Sequence, residues 1–119
     1  MTAVTAESLL ARMLGKKLFV VIWKANDGVQ LGPVLHDHLQ FMIDLEKRGV
    51  LFASGPLSGK QGDGLSILRA AGMDEARAIA ERDPFVVKGL RTFDLREWTV
   101  MEGSIGLTIN CSDRSVVLA

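Results

Sequence analysis

The chain has no tyrosine, one cysteine, three prolines and no excess of charge of either sign. A single cysteine, Cys111, cannot close a disulfide within the chain, which excludes the stapled frameworks of small secreted proteins and fits a reducing, cytoplasmic setting. Lys+Arg and Asp+Glu number 14 each, so no net field draws the protein to nucleic acid or to an anionic membrane surface. No run approaches the roughly 20 apolar residues needed to cross a bilayer. The stretch Met1–Leu14 carries Glu7 and Arg12 inside a modest apolar pattern, unlike the charged-then-apolar order of a secretory signal. Internal repeats and low-complexity segments are lacking too.

What is there is enough for one ordinary domain. The 119 residues are 48% hydrophobic, ample for a core with some apolar surface left for a partner. Ala6–Leu14 has a weak helical pattern that Gly15 would stop. Leu18–Trp23 (LFVVIW) is a continuous β-branched and aromatic run, which reads as a central strand buried on both faces. Asn26-Asp27-Gly28 closes it as a loop. From Pro33 the period becomes helical: Leu35, His38, Leu39, Met42 and Leu45 share one face, and Asp37, Gln40, Asp44, Lys47 and Arg48 the other. Pro33 suits the first turn, Lys47 and Arg48 the last, and Gly49 the stop.

Val50–Ser54 reads as a short strand ended by Gly55-Pro56, Lys60–Gly64 as a turn and Leu65–Ala70 as the returning strand of a hairpin. Asp74 is placed to cap a helix over Glu75–Arg82, with Ala76, Ile79 and Ala80 facing inward. Asp83-Pro84 interrupts that helix. Arg91–Val100 is the last strong strand; its apolar phase shifts from Phe93 and Leu95 to Trp98 and Val100, which implies either a bulge or, the favoured reading, cover on both sides near its end supplied by a partner subunit. The tail, Ser104–Ala119, holds another alternating piece (Ile105, Leu107, Ile109), suited to an added edge strand or an arm reaching across a dimer.

The order β-α-β-β-α-β with a C-terminal extension predicts an α+β, ferredoxin-like fold: an antiparallel sheet with both helices on one face. The other face is too apolar to meet water, and two such sheets packed face to face would cover it.

The run His38-Leu39, then Gly49-Val50-Leu51-Phe52-Ala53-Ser54-Gly55-Pro56-Leu57, Asp63-Gly64, Asp83-Pro84-Phe85-Val86 and Gly89-Leu90 resembles the YciI-like (YCII-related) family, over about Leu18–Val100. The resemblance implies a dimeric α+β barrel, a superfamily that includes muconolactone isomerase and small monooxygenases and decarboxylases. It also implies a His–Asp pair at the active site, here His38 and Asp83. One branch of the family removes chloride from a chlorinated hydroxyhydroquinone. The chain departs from the short family pattern in Met1–Lys17 and in the tail after Met101.

His38 sits on the apolar face of its helix, where a neutral-pH acid–base group at a cavity wall could move a proton on a small substrate. The plainer reading is a half-buried histidine bonded to a backbone carbonyl. Asp83 would hold one imidazole tautomer and stabilise the charged ring, although Asp before Pro is also an ordinary turn and cap residue. Ser54, Gly55, Phe85 and Trp23 are the candidate substrate-binding residues, Phe85 and Trp23 as pocket walls. Ser66 reads as an ordinary strand residue, Phe41, Phe52 and Trp98 as core or interface. Arg69, Arg91 and Arg96 could bind a carboxylate, but solvated sheet positions explain them equally. His36 and His38 point in different directions on a helix and no Cys or Glu completes a set, so no metal is expected. The glycines at 59, 62 and 64 lack the strand-to-helix setting of a phosphate loop, and no cofactor is expected.

Two functions stand against each other. One is a cofactor-independent lyase or isomerase, dehydrochlorinase- or muconolactone-isomerase-like, acting on a small cyclic or aromatic-derived compound through His38 and Asp83. The other is a non-catalytic dimeric module that binds a small ligand or regulates a partner. In both, the chain forms a homodimer or higher homo-oligomer and takes a small-molecule ligand. An open cavity at His38 favours the first, a filled one with His38 bonded to backbone the second.

Overall fold

A computed structural model describes residues 3–118. Ten elements follow in order: α1 (Ala6–Ala11), β1 (Lys16–Ala25), α2 (Gly32–Lys47), β2 (Leu51–Pro56), β3 (Gly64–Leu68), α3 (Met73–Ala80), α4 (Pro84–Val87), β4 (Arg91–Val100), β5 (Leu107–Ile109) and β6 (Val116–Leu118). The chain falls into two compact units, one of residues 17–99 and one combining 1–16 with 100–119.

The larger unit carries a four-stranded sheet in the order β2-β3-β1-β4. β3 runs antiparallel to both β1 and β2. This is the ferredoxin-like order that the sequence predicts, with the LFVVIW run in an interior strand. Pairing of Phe19 with Leu68 and Val21 with Ser66 sets their side chains on one face, together with Trp23. That face packs on Met42 and Leu45 of α2 and on Ala76, Ile79 and Ala80 of α3, so both helices cover the same side. Phe93 and Leu95 of β4 join the edge of this core. Burying these side chains is the main favourable contribution to folding.

Helix α2 begins with Pro33 in its first turn and ends before Gly49, whose φ of +74° is a left-handed stop. Its apolar stripe divides. Met42 and Leu45 are buried, whereas Leu35 and Leu39 are nearly half exposed. They face a cavity and not the core.

Four local expectations are corrected. Gly55 and Pro56 lie inside β2, paired with Leu65 and Gly64; proline is tolerated because β2 is an edge strand, where one missing N–H costs no ladder bond. Asp74 is not a cap: Gly72 takes that position without a side-chain bond, and Asp74 lies in the first turn of α3. After Asp83-Pro84 the chain makes one further helical turn, α4, which the sequence reading misses. The tail does not extend the main sheet: β5 pairs with β6 in a separate two-stranded sheet, Leu107 opposite Leu118.

In the smaller unit, α1 is held by a capping box between Thr5 and Ser8. The Leu14 amide donates to the Met101 carbonyl at 3.2 Å, joining the two ends of the unit. Met1, Thr2 and Ala119, parts of the expected extension and tail, lie outside the described residues.

Candidate active site

Asp83 precedes a proline at the N-terminus of α4, the usual place for a carboxylate that caps a helix. It makes no side-chain cap bond. Its two oxygens are taken instead by side chains from elsewhere: His38 Nδ1 lies 2.6 Å from Oδ1, and Arg91 Nε donates to Oδ2 at 2.9 Å. The three come from the middle of α2, the α3–α4 corner and the first residue of β4. Their side chains are 13% (His38), 0% (Asp83) and 5% (Arg91) exposed. A carboxylate out of water needs compensating charge and hydrogen bonds, and Arg91 supplies both.

Arg91 is therefore no solvated sheet residue. Its guanidinium lies over the rings of Trp23, at 4.2 Å, and Phe85, at 4.9 Å, and Nη1 donates to the Gly62 carbonyl at 3.4 Å. Burial pulls its pKa below the ordinary value, and the Asp83 carboxylate opposes that pull. Arg69 and Arg96 are exposed.

The imidazole is fixed from two directions. Phe85 stacks on it with centroids 4.4 Å apart and planes 19° from parallel. A carboxylate accepts and cannot donate, so facing the Asp83 carboxylate, whose other oxygen is held by Arg91, Nδ1 carries the proton toward it. The neutral ring then presents the Nε2 lone pair, and no group of the described residues bonds Nε2. Among the described residues no backbone carbonyl holds His38.

The ring forms part of the wall of a half-open cavity of about 790 Å3 between α2 and β2. Leu35, Leu39 and Ile43 of α2 and Phe52 of β2 give it an apolar lining. Every residue expected to touch substrate borders it: Ser54, Gly55, Phe85 and Trp23, with Arg91 at the base. Size and lining match the range typical of small-ligand sites. Asp63, also at the wall, accepts the Ala25 amide at 3.0 Å and so ties β1 to the turn before β3. Within that turn Gly62 has φ +95°, and a Cβ there would meet Leu31 Cδ1 at 2.5 Å and Ala25 Cβ at 2.7 Å.

Two contributors were not singled out by the sequence reading, which left Arg91 open between a carboxylate partner and a solvated position and took Ser66 as an ordinary strand residue. Arg91 alternates in phase with Phe93 and Leu95, which placed it on the inner face, and that parity was the available signal. Ser66, fully buried, accepts the Trp23 indole N–H at 2.8 Å and lies 2.8 Å from Ser54 Oγ. Its signal was the same parity, shared with Leu68. His36 is exposed, 3.5 Å from Asp37. No group of three or more possible metal ligands occurs among the described residues. None of the helices described is long and apolar enough to cross a membrane.

A ferredoxin-like sheet whose linked His38, Asp83 and Arg91 side chains border a largely apolar cavity defines a small α+β protein with one candidate ligand site. Residues 18–99 match the YCII-related domain, and the chain belongs to that family. Its structure is similar to that of 5-chloro-2-hydroxyhydroquinone dehydrochlorinase (TftG) from Burkholderia phenoliruptrix AC1100, solved in complex with 2,5-dihydroxybenzoquinone. The TM-score is 0.56 and the identity 23%, over 69% of this chain and 93% of that one, a likeness of fold. No curated protein matches the chain.

Proposed function

We propose that the protein is a cofactor-independent lyase or isomerase in which His38 removes and returns a proton on a small cyclic, aromatic-derived compound. The observation that carries this reading is the 2.6 Å contact between His38 Nδ1 and a fully buried Asp83, with the opposite ring nitrogen left for a guest in the cavity. His38 Nε2 takes a proton from a ring carbon. In an elimination, the C–H electron pair forms the new double bond and chloride leaves with the electrons of the C–Cl bond. In an isomerisation, the imidazolium returns the proton at another carbon. Asp83 stabilises the imidazolium and fixes its orientation, while Arg91 holds the second Asp83 oxygen. Ser54, Gly55, Phe85 and Trp23 contact the ring, and the apolar walls exclude water. The similar fold of a dehydrochlorinase with a bound dihydroxybenzoquinone supports the substrate class.

Two copies associate, in this reading, through the face of the sheet turned away from the helices. Val20 and Ile22 pair there with Ile67 and Leu65, and Trp98, 42% exposed, has the parity of that face. A reducing compartment, the cytoplasm, suits the exposed free thiol of Cys111.

The test is chloride release from chlorinated hydroxyhydroquinones and double-bond migration in unsaturated lactones. Wild type is expected to turn over one of these classes. His38→Gln should lose about 10²–10⁴-fold in rate, and Asp83→Asn about 10²-fold or more. Tight binding of such compounds without turnover favours a non-catalytic ligand-binding module, and turnover indifferent to both substitutions removes His38 and Asp83 from the chemistry; either result overturns the proposal.

A further inference from the structure

The cavity has a second polar feature, on the wall formed by β2 and β3. Ser54 and Ser66 face each other across the strand pair, Oγ to Oγ 2.8 Å, and Ser66 Oγ also accepts the Trp23 indole N–H at 2.8 Å. Ser66 is fully buried, whereas Ser54 is exposed at the cavity. A hydroxyl has one proton and two lone pairs, and an indole N–H only donates. Trp23 therefore fills one lone pair of Ser66. The Ser66 proton then has one acceptor among the described residues, Ser54 Oγ. Were Ser54 to donate instead, the Ser66 proton would be buried without an acceptor, the costly arrangement. The bonds thus run in one direction, from Trp23 to Ser66 to Ser54, and the Ser54 proton is left over. No other group of the described residues takes it.

We propose that Ser54 is an aimed hydrogen-bond donor for a carbonyl or phenolate oxygen of the ligand, with Ser66 and Trp23 as positioning residues. The inference rests on the reading of the cavity as the proton-transfer site, and it narrows the substrate class to enolisable cyclic carbonyl compounds and their phenol tautomers. Removing a proton next to a carbonyl moves negative charge onto the carbonyl oxygen, and a donor fixed in advance at that oxygen stabilises the charge as it forms. Each bond in the chain polarises the next, so the donor strengthens as the charge grows.

Two probes that differ only in the oxyanion test this: 4-nitrophenolate, at a pH where it is ionised, and nitrobenzene. The wild-type protein should bind the phenolate at least about tenfold more tightly, the scale of one hydrogen bond to a charged acceptor. Ser54→Ala should bring the two probes to within about twofold. In heteronuclear NMR the phenolate should shift the Trp23 indole proton further than nitrobenzene does, with the Trp98 indole unmoved as an internal control. Ser66→Ala should abolish that difference between the probes, a response that ring contact or loss of packing alone does not produce. Equal binding of both probes by wild type, or a preference that survives Ser54→Ala, overturns the donor site. The fate of the acid–base reading is separate: His38→Gln should keep the phenolate preference while losing turnover, and an active His38→Gln removes that reading without touching Ser54.

Discussion

Two contacts between a basic and an acidic side chain in this protein have the same length and opposite character. His38 Nδ1 lies 2.6 Å from Asp83, and Lys60 Nζ lies 2.6 Å from Asp27. The first pair is 13% and 0% exposed, the second 47% and 97%. Around Asp27, water replaces whatever Lys60 supplies, and the pair gains little by forming. Around Asp83 no water is available: each oxygen has one side-chain partner, and the loss of either leaves a buried charge partly unanswered. Contact distance alone therefore does not rank the two. Burial does, and the buried pair is also the one bordering a cavity.

The largest effect should come from Arg91. Arg91→Met leaves the Asp83 carboxylate buried beside a neutral histidine and should cost about 3–5 kcal/mol, a fall in Tm of about 10–20 °C at about 4 °C per kcal/mol. Thermal unfolding followed by circular dichroism reads this directly. Adding Asp83→Leu to Arg91→Met should recover more than half of that loss, because two apolar side chains need no compensation, while turnover stays abolished. A double variant no more stable than Arg91→Met would show that packing of the guanidinium against Trp23 and Phe85, and not the buried charge, sets its importance.

Gly62→Ala comes next. The positive φ and the two short contacts of a new Cβ together should cost about 2–3 kcal/mol. Because the Gly62 carbonyl accepts from Arg91, the damage should reach the site as a lower kcat as well as a lower Tm. His38→Gln should be milder for stability, about 1 kcal/mol for one hydrogen bond, since Asp83 keeps its bond to Arg91. Its catalytic loss should be far larger than its structural one. Measuring both on one sample separates a residue that moves protons from one that holds the fold.

The same contrast explains what could be read from the sequence. Elements with a clean period were legible, the α2 helix with its Gly49 stop and the inward triplet Ala76, Ile79 and Ala80, and β4 over Arg91–Val100 was legible despite its phase shift. His38 and Asp83 were legible through the family landmarks, whereas their contact, across 45 positions in sequence, needed the structure. Arg91 was left open between a carboxylate partner and a solvated position, and Ser66 was read as an ordinary strand residue, because residue type was weighed without the parity that placed both inside. Leu35 and Leu39 lie on the stripe that carries Met42, and only tertiary structure shows that this part of the stripe lines a cavity. The edge-strand option for the tail fails, β5 pairing with β6 instead, because alternation specifies a strand and not its partner.

The smallest effect belongs to Asp27. The Lys60 ammonium, by hydrogen bond and by charge, holds the Asp27 carboxyl below its ordinary pKa. A carboxyl depressed in the folded state contributes stability above its unfolded pKa and loses it as pH falls through the lowered folded value. Lys60→Met should therefore move the Asp27 titration midpoint upward toward the ordinary carboxylate value, seen in carboxyl-carbon NMR, while Tm at neutral pH stays unchanged within error. About 1 M salt should produce the same upward movement in the wild type, because the Debye length then shrinks to about 3 Å. The contact between His38 and Asp83, shielded by the protein itself, should keep its NMR signature in that salt. If Lys60→Met lowered Tm as far as Arg91→Met, burial would not be what distinguishes the two pairs, and the case for a dedicated charge at Asp83 would lose its physical basis.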